Sequence, residues 1–212
     1  MTLWKITALA ALAAPMPAAA HEVWVERDAS GPARIYLGEP NEAVPDAGDP
    51  EFPRLKAPKV SQGTNKAVAT VRRANHIEAA VPGGGDVRVQ DDAIFDPWKG
   101  REGMQAAAYY ARAGRSETSQ ALDFEFVPVA PNADRFSLRF RGQPVPASHV
   151  TIIAPGYWQK TFTSDAKGEV DVPLKGDGRY LLSASHTENA EKQVGDVAVS
   201  SVIHTTTLTF SR

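Results

Sequence analysis

The sequence predicts an all-β protein made of two β-sandwich-like parts. Three observations carry this expectation. Short stretches of alternating apolar and polar residues recur along the chain, as half-buried strands require. In the C-terminal half, turn residues separate them roughly every 8–12 positions: Arg141-Gly142, Pro155-Gly156, Asp165-Ala166-Lys167-Gly168 and Gly176-Asp177-Gly178. Cysteine is absent, so a packed core rather than a disulfide framework must hold the fold.

Residues 1–20 read as a secretory signal. Lys5 gives the positive start, Ile6 to Ala14 the short apolar run, and Pro15 and Pro17 break it. Ala18 and Ala20 form a small-x-small cleavage site, so His21 becomes the first residue of the processed chain. The run is too short for a bilayer of about 30 Å. Of 212 residues, 192 remain, and the formal net charge of −2 becomes −3 because Lys5 is the only charge lost. No basic patch points to nucleic acid or an anionic membrane, and no later segment predicts a membrane span.

The N-terminal β-rich part is expected over residues 21–121. Val23 and Val25 alternate with Glu22, Trp24 and Glu26, and Arg34-Ile35-Tyr36-Leu37 follows a turn. Residues 38–62 carry Pro40, Pro45, Pro50, Pro53 and Pro58. Proline removes ladder donors, so this stretch is expected to be a long loop, either a functional cover or a surface insertion. Strands resume at Ala67–Val71, His76–Val81 and Val87–Val89. Propensity favours helix over Met104–Arg112, but Tyr109-Tyr110 and the neighbouring strands favour strand.

The second sandwich is expected over residues 122–212. Its strands are Leu122–Val127, Phe136–Phe140, Val150–Ile153, Trp158–Phe162, Val170–Val172, Tyr180–Leu182 and Thr206–Phe210.

A first-residue histidine brings its α-amino group and Nδ1 to one metal ion, and both deprotonate near neutral pH. Without thiolates, further ligands must come from the remaining histidines, His76, His149, His186 and His204, or from carboxylates. In an extended strand His186 and Glu188 share a face. His204 is expected to open the last strand, where sandwich edges gather. The candidate ligands are therefore His21, His186 and His204, with Glu22 and Glu188 as weaker ones. His76 and His149 read as ordinary strand residues, and Asp46, Asp49 and Glu51 as a solvated loop. Such donors suit Ni(II), Co(II) or Cu(II), with Zn(II) also compatible. A first-residue histidine with a second histidine is also the ligand set of a copper histidine brace, but nothing marks the open position that redox chemistry needs. No nucleophile elbow, His-Glu-x-x-His or phosphate loop occurs, so a non-enzymatic role is expected.

Residues 142–150, 163–170 and 178–184 resemble the transthyretin-like or carboxypeptidase-regulatory-like sandwich, with its turn carrying Asp-x-x-Gly. This implies an Ig/transthyretin-like C-terminal part. Together with the Ala-His-Glu-Val-Trp-Val-Glu start, Gly38-Glu39, Tyr109–Arg112, Phe124–Pro128 and His204–Phe210, the mature chain resembles a bacterial periplasmic family linked to nickel and cobalt uptake. That family is described as nickel-transporter-like periplasmic proteins. The resemblance excludes the Pro-rich stretch. It implies metal handling in the periplasm, with an inner-membrane metal transporter as partner. The alternative expectation is a non-catalytic binding module for a protein or glycan partner. It would use Trp24, Trp98, Tyr157 and Trp158 as exposed aromatics, although Tyr157-Trp158 also reads as core.

Overall fold

The computed structural model describes residues 21–28, 31–63 and 66–212; the signal segment expected over 1–20 lies outside them. Among the described residues the chain is all-β, with no α-helix. In the first half the strands are β1 (Glu22–Arg27), β2 (Ala33–Gly38), β3 (Lys59–Gln62), β4 (Lys66–Ala67), β5 (Thr70–Arg72), β6 (Ile77–Ala79), β7 (Val87–Asp91), β8 (Trp98–Lys99) and β9 (Met104–Ala113). Then come β10 (Phe124–Pro128), β11 (Arg135–Phe140), β12 (Gln143–Pro144), β13 (His149–Ala154), β14 (Trp158–Thr163), β15 (Glu169–Asp171), β16 (Arg179–Val194) and β17 (Val197–Ser211).

Three sheets form a β-sandwich-like arrangement with no closed barrel. The largest sheet has nine strands, in the order β14-β13-β16-β17-β9-β7-β3-β4 with β8 beside β9. One smaller sheet runs β1-β2-β6-β5, and the other holds β10, β11, β12 and β15. The expected division at residue 121 falls between β9 and β10. The nine-stranded sheet runs across it, because β17 pairs β9 in parallel from Ser201↔Gln105 to Thr209↔Ala113.

Strand periodicity explains how one sheet serves two cores. On β9, Ala106, Ala108 and Tyr110 pack with Phe124, Phe126, Phe136 and Leu138 of the β10–β11 sheet. The alternate residues Ala111 and Ala113 pack with Val23, Val25, Ile35 and Leu37 of β1 and β2. Successive side chains point to opposite faces, so β9 is buried on both.

Two expectations need correction. Residues 38–62 are not all loop: Lys59–Gln62 pairs with β7, and Phe52 and Leu55 are buried. The last two strands are also far longer than expected. β16 and β17 form one hairpin that turns at Gly195-Asp196, and His204 lies mid-strand rather than at its start. Over residues 185–201 both faces carry mostly polar side chains, so the apolar alternation that marks a strand is missing there.

A buried charge cluster ties β10 to the large sheet. Arg88 and Arg112 are direct register neighbours, 2 % and 0 % exposed, and would repel if unpaired. Glu125 accepts from Arg88 Nε at 2.7 Å and from Arg112 Nη1 at 3.0 Å, while Asp86 accepts from Arg112 Nε at 3.0 Å. Removing one member strands the others without compensation. Glu125→Gln is expected to destabilise the fold by about 3–5 kcal/mol. Urea denaturation should show the midpoint falling while the slope is retained.

Candidate functional site

β1 is an edge strand of its own sheet, and an edge leaves carbonyls without ladder partners. β17 supplies the missing donors from its odd-numbered face. Thr207 Oγ1 donates to the Val23 carbonyl at 2.7 Å, and Thr209 Oγ1 donates to the Val25 carbonyl. Ser183 donates to Glu22 Oε1 at 2.6 Å, and Arg179 pairs with Glu26 at 2.7 Å. Together these contacts fix the start of β1, and with it His21.

The Pro-rich loop closes over the other side. Glu22 is in register with Gly38, where an added Cβ would lie 3.1 Å from both Cβ and Oδ2 of Asp49. Glycine thus lets the Asp49 side chain come close. Asp49 is held by its own turn: Oδ1 accepts from the Glu51 amide at 2.7 Å, and buried Phe52 anchors the segment. Its carboxylate meets His21 Nε2 at 3.1 Å. A cavity of about 460 Å³ adjoins the pair, with Glu39, Glu42, Val44 and Trp24 in its wall.

The other expected ligands lie on the opposite face of the hairpin. Ser183 and Leu181 face β1, whereas the even-numbered His186, Glu188 and His204 face the β10–β11 sheet. His186 and His204 are directly opposite in register. The His186 ring packs against Phe124 and Phe140. His204 is 3 % exposed and has partners on both ring nitrogens, Tyr110 Oη at 3.2 Å from Nδ1 and Glu188 Oε2 at 3.2 Å from Nε2. Glu188 also takes both Nη groups of Arg141, at 2.6 and 3.1 Å, and Lys192 Nζ.

The hydrogen bonds from Arg141 pull the Glu188 carboxyl down to about 2, against the effect of burial and with help from Lys192 and His204. Burial holds His204 below the ordinary imidazole range, although Glu188 opposes this. Two cations already satisfy Glu188 and both His204 nitrogens are engaged, so this cluster does not fit a metal ion. The joint set of His21, His186 and His204 is therefore not assembled. Among the described residues no group of three or more His, Asp or Glu side chains is placed to hold one ion.

The His21 end does fit. Metal-binding histidines commonly give their second ring N–H to a carboxylate, which fixes the tautomer. Asp49 stands at Nε2, which leaves Nδ1 as the other ring nitrogen, on the residue whose α-amine the expected cleavage would free. Sequence reading passed Asp49 over as loop solvent, because nothing in the chain distinguishes it from Asp46.

Of the expected exposed aromatics, Trp24 is a core residue, 1 % exposed and stacked on Tyr36 at 5.1 Å. Tyr157 and Trp158 are not core: they are 47 % and 46 % exposed. His76 is held by Asn75 at 2.8 Å, and His149 is exposed.

Neither a scan of protein-family models nor a search of curated proteins finds a match to this chain.

Glu22 sits beside this site with its carboxyl buried and Oε2 without a hydrogen-bond partner. Burial pushes it up to about 7, partly offset by the bond from Ser183. The folded state keeps this proton up to about pH 7, whereas an unfolded carboxyl releases it near 4.5. Stability is therefore lost as pH rises from about 4.5 to about 7, and stays lower above that. Relative to the parent, Glu22→Gln is expected to gain roughly 2–3 kcal/mol between pH 4 and pH 8. Urea denaturation of both proteins at the two pH values checks this.

Proposed function

We propose that the processed protein is an exported, periplasmic transition-metal-binding protein that assists uptake or delivery of nickel, cobalt or copper. The α-amine and Nδ1 of His21 chelate the ion, and Asp49 orients the ring from Nε2. The observation that carries this reading is the 3.1 Å contact between His21 Nε2 and Asp49. It supplies the carboxylate partner that a ligating imidazole needs, and it comes from the loop that the family resemblance does not cover. Glu39 and Glu42 add negative potential at the adjoining cavity, which concentrates cations. Two protein nitrogens leave coordination positions open, as suits a cargo ion passed to a transporter. Among the described residues no helix is long and apolar enough to cross a membrane.

A second reading, a binding module for a protein or glycan, draws on Tyr157 and Trp158. Tyr157 has a φ of 61°, and the turn holds both rings half out in solvent. One titration separates the two readings. Protein beginning at His21 is titrated with Ni(II), Co(II), Cu(II) and Zn(II), beside a form with one alanine added before His21. The added residue is expected to abolish tight binding, and Asp49→Asn to weaken it roughly 10–100-fold. Equal affinity in the two forms would remove His21 from the site. No binding at micromolar metal would favour the module.

A further inference from the structure

The large sheet has a gap in one of its ladders. β7 ends its pairing with β9 at Asp91↔Tyr109, and β8 pairs only with Met104 and Gln105. Ala106, Ala107 and Ala108 lie between, with no partner strand on that edge, because residues 92–97 loop away. Their other edge pairs with Val202, Ile203 and His204. These side chains are single methyl groups, so they leave the space open. A cavity of about 480 Å³ lies at the gap, with Ala106, Ala108 and Val202 among its apolar lining.

Its polar wall has a fixed direction. Glu188 is ionised, so the His204 proton resides on Nε2 and is donated to Glu188. Burial keeps His204 neutral, so Nδ1 is bare and accepts from the Tyr110 O–H. The Tyr110 proton is thereby committed, and its oxygen can only accept from a ligand. The nearby cations are likewise committed: Arg141 pairs with Glu188 and Asp123, and Lys192 pairs with Glu188. Asp92 also lines the cavity and, among the described residues, has no ion-pair partner. Gln90 and Gln193 also line the cavity, and the open edge of Ala106–Ala108 adds backbone groups, so the one uncommitted charge is the Asp92 carboxylate, beside a phenol acceptor and an aliphatic floor.

We propose that this gap binds a small primary ammonium compound with a short aliphatic body. Its N–H groups meet the Tyr110 oxygen and Asp92, and its carbon chain lies on Ala106, Ala108 and Val202. The site is on the face of the hairpin away from His21 and does not depend on the metal reading.

Calorimetry on the processed protein in excess chelator tests this, with n-butylammonium as probe and 1-butanol and butyrate as isosteres. The expected result is saturable binding of butylammonium, with both isosteres at least roughly tenfold weaker. Asp92→Asn is expected to weaken butylammonium roughly tenfold with unchanged melting temperature, since Asp92 is exposed. Bound probe should also shift the His204 ring ¹⁵N resonances through Tyr110. Absence of saturable binding, equal binding of all three probes, unchanged affinity in Asp92→Asn, or unmoved His204 resonances would overturn the proposal.

Discussion

The structure depends on two threonine hydroxyls. β1 ends its own sheet with unpaired carbonyls, and buried backbone acceptors must find donors. Thr207 and Thr209 reach across from the middle of the nine-stranded sheet to the carbonyls of Val23 and Val25. A strand that would otherwise need a second neighbour is thus closed by side chains of another layer. The start of β1 is held down as a consequence, and His21 is set beside Asp49.

The same strand periodicity that permits this latch divides the candidate ligands. Odd-numbered Leu181, Ser183, Thr207 and Thr209 face β1, and even-numbered His186, Glu188 and His204 face the β10–β11 sheet. His186, Glu188 and His204 therefore meet in mid-hairpin rather than at a sandwich edge, on the face away from His21. Their chemistry is also different. Arg141 and Lys192 saturate Glu188, and the chain from Glu188 through His204 to Tyr110 fixes proton positions rather than offering lone pairs to a metal. On the other face, Asp49 leaves one His21 nitrogen with a defined partner and the other available.

The apolar strands were legible because their side chains alternate: Phe124 to Val127 and Phe136 to Phe140 stand where the pattern puts them. Met104–Arg112 was legible as strand only from Tyr109-Tyr110 and its neighbours, since its alanines favour helix in isolation. The outer half of β16 was not legible, because from Ser185 to Gln193 every residue but Ala190 is polar and no apolar face marks the strand. The Asp49–His21 pairing was not legible either. It joins residues 28 apart in sequence through a turn, a glycine and one buried phenylalanine. Composition along the chain carries no trace of such a contact. The buried Arg88–Glu125–Arg112 cluster escaped notice for a similar reason, as each residue alone reads as a solvated strand position.

The most direct test of the His21 site is NMR of the processed, ¹⁵N-labelled protein titrated with substoichiometric Cu(II). Paramagnetic broadening is expected first at His21 and the amides of β1 and residues 38–49, while His186 and His204 stay sharp. Broadening of His186 and His204 with His21 untouched would contradict the account.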